Sequence, residues 1–271
     1  MNSIDPIYIS TTLIDRFYND TLKGTATGFF FFDGTKLYLV TNKHVIYGEK
    51  FFTKETKPEV NLFKLLLHTN ANDLRINESF DIPLVNGKSN IWLEHSNPEI
   101  DVVLVPVDID RKKYAIAHVD NSSLESKDLV INFEKIFVMG YPYGWFDRKN
   151  NLPITRIGHL SSPFGVPFAG KPVMLGDVET HQGMSGGPVF MDLNDYVIIE
   201  NGQKKRHLGT SKRLLAGIHS GQPRWDLIDN HTKQIKETVR HSLINIWFSS
   251  LIPEIISGPT IVPKVISPTD A

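Results

Sequence analysis

The chain has 271 residues, 41% of them hydrophobic, and its 29 Lys and Arg nearly balance its 30 Asp and Glu. This composition excludes extensive disorder, because the apolar content is high and the formal net charge is only -1. The charge balance argues against a nucleic-acid partner, and no apolar run reaches the roughly 18 to 20 residues that a membrane-spanning helix needs. Cys is absent, which excludes disulfides, thiolate metal ligands and a Cys nucleophile. We expect a cytoplasmic protein without a cofactor, a metal ion or a membrane partner.

Short runs rich in Val, Ile, Phe and Tyr alternate with turn signals along the chain. This pattern predicts an all-β, mostly antiparallel sandwich or barrel. The runs with strand character are residues 28–33, 37–41, 60–69, 100–107, 135–140, 172–178, 187–190 and 214–219.

Polar segments divide these runs. Residues 108–130 form the candidate linker between two halves, and 222–241 are expected to be a long loop. Residues 242–256 predict a last strand followed by a short helix. We therefore expect a first domain over residues 10–115, a second over 125–257 that ends in this helix, and a surface tail over 258–271.

The most informative motif is GMSGGPVF, which begins at Gly183. A Ser flanked by glycines can occupy a tight turn in which the backbone N–H groups of Gly183 and Ser185 point the same way. Such N–H groups form an oxyanion hole beside a nucleophilic hydroxyl, which would be that of Ser185. The alternative is a Gly-rich turn that only leads into a buried strand.

A Ser nucleophile needs a base, and the base needs an acid that orients it. His44 follows an apolar strand run directly, and Asp101 begins the run 101–107. The alternatives are a satisfied core His and an Asp in a solvent-facing turn. The order His44, Asp101, Ser185 is that of the chymotrypsin type, and it differs from the orders of α/β-hydrolases and subtilisins.

Several segments resemble bacterial trypsin-like serine peptidases. The segments are residues 24–30 and 38–46, which include His44, then 99–107, 136–144, 183–190 and 215–221. The resemblance implies two antiparallel six-stranded β-barrels packed face to face, each with its own core, and a catalytic triad in the cleft between them. It implies Ser185 as nucleophile, His44 as general base and acid, and Asp101 as the orienting carboxylate. Ser220, next to Gly221, would lie in the strand that pairs with the substrate backbone.

The substrate pocket has two interpretations. Thr180 and His219 match the pair of glutamyl endopeptidases and viral chymotrypsin-like proteases, which implies cleavage after Glu or Gln. Glu179 stands where trypsins place the acid that pairs with Lys or Arg. If its side chain enters the pocket, basic residues are preferred; if it points outward, Glu or Gln is preferred. His219 could also be a structural His that pairs with Glu179.

Regulation and partners follow from one departure from the family pattern. Trypsin-like zymogens have an Asp directly before the nucleophile, which binds a newly freed N-terminus, whereas this chain has Met184. Activation by that ion pair is therefore not expected. We expect a protein or peptide substrate. We also expect narrow specificity or an inactive resting cleft, and an inactive cleft is compatible with control by a regulatory partner protein. A latent barrel pair that binds peptides without cutting them is the alternative.

Overall fold

A computed structural model of the chain describes residues 4–53, 57–87, 89–124, 129–130, 134–201, 203–228, 235–240 and 242–258. In these ranges the fold is mostly β, with short α-helices α1 (Ile7–Ser10), α2 (His44–Tyr47) and α3 (Leu251–Ser257). Single 3₁₀ turns occupy Gly48–Phe51, Asn121–Ser123 and Pro142–Gly144. Across the described residues, no helix has the length and apolar character needed to cross a membrane.

The strands of the first half are β1 (Thr11–Tyr18), β2 (Thr21–Phe32), β3 (Leu37–Thr41), β4 (Leu62–His68), β5 (Asn77–Pro83), β6 (Val85–Asn86), β7 (Ser89–Asn90), β8 (Leu93–Glu94), β9 (Val103–Val107) and β10 (Val119–Asp120). They form one antiparallel sheet with the strand order β5-β4-β1-β2-β3-β9-β8, and β10 adds to β2 in parallel. A separate short hairpin joins β6 to β7.

The second half closes on itself. Its strands are β11 (Leu129–Val130), β12 (Lys135–Gly140), β13 (Ile154–Leu160), β14 (Val173–Asp177), β15 (Pro188–Glu200), β16 (Gln203–His219) and β19 (Leu243–Phe248), while β17 (Arg224–Ile228) and β18 (Ile235–Arg240) form a separate hairpin. Six of these strands pair in the cyclic order β12-β13-β14-β19-β16-β15 and back to β12, and β11 is added at the edge of β15.

One closed six-stranded barrel is therefore present, in agreement with the all-β prediction. In the first half, the described strands run from β5 to β8 without a pairing that joins these two ends. A second closed barrel stays a prediction, as do the exact domain limits 10–115 and 125–257.

The apolar strand runs are continuous because both faces of the first sheet are buried. Successive side chains of a strand point to opposite faces. Phe30 and Leu39 therefore pack in a cluster that belongs to the first half alone. Phe29, Phe31 and Val40 pack on the other face, in a cluster that they share with the barrel of the second half. The expectation that each half has a separate core thus holds for one face of the first sheet only.

Two polar segments contain structure that the sequence did not indicate. The expected loop 222–241 holds the β17–β18 hairpin, whose strands pair from Arg224 with Arg240 to Ile228 with Ile235. Within the expected linker 108–130, β10 pairs with Phe31 and Phe32 of β2 and so adds a strand to the first sheet beyond residue 115. The predicted last strand and helix correspond to β19 and α3. The predicted tail lies outside the described residues after Gly258.

Candidate active site

His44 and Asp101 meet at neighbouring strand ends. β3 pairs with β9, and Thr41 at the end of β3 lies opposite Val103 at the start of β9. His44, which follows Thr41, is therefore brought close to Asp101, which precedes Val103. The backbone N–H of His44 donates to Asp101 Oδ1 at 2.9 Å, and His44 Nδ1 lies 2.7 Å from Asp101 Oδ2. Because an ionised carboxylate only accepts hydrogen bonds, this contact places the ring hydrogen on Nδ1 and leaves Nε2 as an acceptor.

Two further side chains, those of Asn42 and Phe52, contact the His44–Asp101 pair. Asn42 is fully buried, and its side-chain amide donates to the backbone carbonyl of Asp101 at 2.7 Å. Phe52 lies over the imidazole, with 5.9 Å between the ring centroids of Phe52 and His44. Sequence reasoning missed both residues. A polar Asn42 at the end of a buried strand was the available signal for the first, since a buried amide requires partners.

The loop that carries Ser185 depends on glycines. Gly183 has a φ of +96°, and a Cβ at this position would lie 2.5 Å from the carbonyl oxygen of Tyr141. The conformation is left-handed and the space is closed, so only Gly fits without rearrangement. The predicted tight turn is therefore present at this position.

The backbone N–H groups of Gly183 and Ser185 have no hydrogen-bond acceptor within the described part of the chain. Their neighbours do have partners. The carbonyl of Gln182 accepts from the N–H of Tyr143 at 2.6 Å, and the carbonyl of Met184 accepts from Gly187 at 3.0 Å. Two unsatisfied donors, one on each side of Met184, suit an oxygen that gains negative charge.

His44, Asp101 and Ser185 line one cleft, together with Gly183. No hydrogen bond joins the Ser185 hydroxyl to His44 among the residues described, although the imidazole is held by Asp101. In structures without a substrate, such contacts are often long and shorten when the substrate binds.

The predicted specificity residues separate into two groups. His219 is buried and its Nε2 lies 2.9 Å from Thr180 Oγ1, and both residues line the cleft. Burial, with a smaller effect of His44, lowers the pKa of His219 to about 4, so the imidazole is neutral at pH 7. Glu179 is 71% exposed, forms an ion pair with Arg156, has its Oε1 3.6 Å from His181 Nε2, and is not among the residues that line the cleft. The Glu179 carboxylate therefore points outward and does not pair with His219.

Ser220 and Gly221 lie at the cleft edge, directly after β16 ends at His219. The N–H of Ser220 donates to the carbonyl of Asn245 at 3.0 Å, and the Ser220 hydroxyl accepts from Trp247 Nε1 at 2.9 Å. The carbonyl of Ser220 has no donor among the described residues, so it is available to an extended peptide.

Comparison with known proteins gives the family. The profile of the trypsin-like peptidase domain matches residues 26–198, which is more than half of the chain. No curated protein sequence matches. Among solved structures, a serine endoprotease from Yersinia pestis is similar at 14% identity and a TM-score of 0.49, with 93% of this chain and 62% of that chain covered. The chain thus spans less than two thirds of that protein. The Rv3671c protease of M. tuberculosis, in its inactive form, is similar at 13% identity and a TM-score of 0.47, with 93% and 89% covered. By its profile match, the chain belongs to the trypsin-like peptidase domain family.

Proposed function

We propose that this chain is a serine endopeptidase that works through His44, Asp101 and Ser185. The observation that carries the proposal is the cleft in which an oriented imidazole, a Ser hydroxyl and two unsatisfied backbone N–H groups lie together. These are the parts that acyl transfer requires: a base, a nucleophile and donors for the oxyanion.

In the proposed reaction, Ser185 Oγ attacks the carbonyl carbon of the scissile peptide bond while its proton passes to His44 Nε2. The carbonyl oxygen becomes an oxyanion and accepts from the N–H groups of Gly183 and Ser185. His44 then gives the proton to the leaving amine, and the C–N bond breaks. Water repeats these steps on the acyl ester, which releases the acid and restores Ser185. Asp101 stays ionised and stabilises the imidazolium through the 2.7 Å contact with Nδ1.

We propose cleavage after Glu or Gln. The Thr180–His219 pair lies in the cleft and supports this preference, because a hydroxyl and an imidazole can hydrogen-bond a carboxamide or a carboxylate. Preference for Lys or Arg is the alternative, and the outward position of the Glu179 carboxylate argues against it. The expected substrate is a protein or peptide in the cytoplasm, and control by a regulatory partner stays a prediction.

A second candidate function is a latent module that binds peptides without cutting them. The missing hydrogen bond between Ser185 and His44 among the described residues favours this candidate. The intact His, Asp and Ser set argues for the enzyme.

The test is cleavage of a diverse peptide library by the wild type. Ser185→Ala should lose activity by on the order of 10⁵ to 10⁶ in kcat, because the nucleophile is gone while the fold remains. Ser161→Ala is the matched control, since Ser161 is exposed and lies outside the cleft lining. Cleavage that survives in Ser185→Ala would contradict the mechanism.

The same library tests the pocket. His219→Ala should remove the preference for Glu or Gln, whereas Glu179→Gln should keep that preference. Of these two residues, His219 lines the cleft and Glu179 does not. Cuts after Lys or Arg that disappear in Glu179→Gln would support the alternative pocket. If the wild type cuts nothing, a fluorophosphonate probe separates the remaining candidates: labelling of Ser185 indicates a latent enzyme, and no labelling indicates a binding module.

A further inference from the structure

Thr27 is a polar residue of β2, and it lies in the buried part of that strand. Its side chain is fully buried, so its hydroxyl needs partners inside the protein. The partners come from the second half of the chain, although Thr27 belongs to the first sheet. The hydroxyl donates to the carbonyl of Gly183 at 2.8 Å and accepts from the N–H of Tyr141 at 3.1 Å.

The backbone of Thr27 adds two further bonds. Its N–H donates to the carbonyl of Ser185 at 2.9 Å, and its carbonyl accepts from Thr41 Oγ1 at 2.8 Å. Thr27 thus binds the Ser185 loop at two carbonyls, and the Thr41 hydroxyl of β3 in turn binds the Thr27 carbonyl. The backbone bond to Ser185 is open to any residue except Pro, whereas the bond to Gly183 needs a side-chain hydroxyl.

The hydrogen bonds of this loop fix three successive peptide planes. In a trans peptide the N–H and the carbonyl point in opposite directions, so a bond that holds the carbonyl also aims the N–H. Tyr143 holds the carbonyl of Gln182 and aims the N–H of Gly183, and Gly187 holds the carbonyl of Met184 and aims the N–H of Ser185.

The middle one of these three peptides joins Gly183 to Met184 and lies between the two peptides that carry the Gly183 and Ser185 N–H groups. Its carbonyl is held by the Thr27 hydroxyl, and its N–H donates to the carbonyl of His181 at 3.1 Å. The same hydroxyl accepts from Tyr141, whose carbonyl in turn accepts from Gly144 in the turn that contains Tyr143. The Thr27 hydroxyl therefore binds the Gly183–Met184 peptide and also Tyr141, the residue that precedes the turn whose Tyr143 N–H holds the Gln182–Gly183 peptide.

We infer that Thr27 is a positioning residue, whose hydroxyl holds the Gly183 and Ser185 N–H groups in the geometry of an oxyanion hole. This inference rests on the proposed function. Met184 is buried and uncharged, so no carboxylate at that position orders the loop by an ion pair. The Thr27 hydroxyl orders the loop from the first sheet instead.

The test compares Thr27→Val with Thr27→Ser. Val keeps the shape of Thr but loses the hydroxyl, whereas Ser keeps the hydroxyl. Thr11→Val is the matched control, because Thr11 is also buried and its hydroxyl donates to a backbone carbonyl, that of Ile7, away from the Ser185 loop. All variants are checked for native near-UV circular dichroism at the assay temperature, and kcat and KM are measured on a peptide that the wild type cuts.

We expect Thr27→Val to lower kcat by about 10- to 100-fold with KM within about twofold, because the hydroxyl acts on oxyanion stabilisation and not on substrate binding. Inhibition by a peptide aldehyde, whose adduct with Ser185 places an oxygen in the hole, should weaken in parallel, while inhibition by the product that carries the new amino group, which has no oxygen for the hole, stays unchanged. Thr27→Ser should restore kcat to within about threefold of the wild type, and Thr11→Val should match the wild type.

A folded Thr27→Val that retains the wild-type kcat would overturn the inference and leave the proposed function standing. So would equal losses of kcat in Thr27→Val and Thr11→Val, since these would reflect stability alone. A wild type that neither cuts peptides nor reacts with a fluorophosphonate would instead overturn the proposed function together with the inference.

Discussion

His219 is a buried titratable side chain whose proton affinity differs between the folded and unfolded chain. Burial, followed by the nearby His44, lowers its pKa from the ordinary value of 6.5 to about 4. Between these two pKa values the unfolded chain binds a proton that the folded chain does not bind. The free energy of unfolding therefore falls as the pH falls through this window.

For the wild type we expect the His219 contribution to cost about 2 kcal/mol of stability between pH 7 and pH 5, as the linkage relation requires for such a shift. Urea unfolding at both pH values measures the loss. His219→Gln should show a smaller decrease over the same interval, because Gln does not titrate. The pKa of the buried His68 is also lowered by burial, so some decrease remains in the variant. An equal decrease in both proteins would contradict the assignment.

Sequence reasoning at the residue scale worked where a motif or an abrupt change of polarity marks the residue. His44 and Asp101 flank apolar strands, and they contact one another at 2.7 Å. The roles of these residues stay predictions. Thr27 was missed because its partners Gly183 and Tyr141 are more than 100 positions away, as the separations of 156 and 114 residues show. Hydrophobic patterning predicts that a strand is buried, but not which hydroxyl reaches across to another element.

Close packing constrains the shape of the Ser185 loop. Gly186 has a φ of +85°, and a Cβ there would lie 2.2 Å from the carbonyl oxygen of Thr27 and 2.2 Å from Thr41 Oγ1. A side chain at this position would therefore meet both backbone strain and a collision with the first sheet. Gly34 separates these effects, because its φ is +103° but no atom would lie within 4 Å of a Cβ added there.

We expect Gly34→Ala to cost about 1 to 2 kcal/mol, which is the penalty of a left-handed conformation alone. Gly186→Ala should cost more than about 3 kcal/mol, because the backbone of β2 must also move. Urea unfolding measures both values, and the rate of fluorophosphonate labelling reports whether the loop keeps its shape. Equal costs in the two variants would show that the collision is relieved without effect on the loop.

At the element scale, strands with apolar runs were predictable, and polar strands were not. β3 and β9 correspond to runs of Val, Leu and Tyr in which both faces are buried. The β17–β18 hairpin lies where the sequence predicts a loop, since residues 222–241 carry charged residues throughout and show no apolar period. Closure of a barrel, which the second half shows, depends on the pairing of strands that are distant in the chain, and no local pattern encodes that pairing.

The whole molecule is joined by an apolar cluster that spans its two halves. Phe31 of the first sheet packs in this shared cluster, while Phe30, its neighbour in β2, packs in the cluster of the first half alone. Both side chains are almost completely buried, so their removal should cost a similar amount, about 3 to 5 kcal/mol each. The two variants differ in which contact they weaken.

Because opening the first half alone would expose the shared cluster, we expect the halves to unfold together in the wild type. Phe30→Ala weakens the first half but leaves the contact between halves, so the two should still unfold together at lower denaturant. Phe31→Ala removes part of that contact, so β9 should open at a lower free energy than β14. Hydrogen exchange followed by mass spectrometry measures the two strands separately. Equal opening free energies of β9 and β14 in Phe31→Ala would show that Phe31 does not couple the unfolding of the two halves.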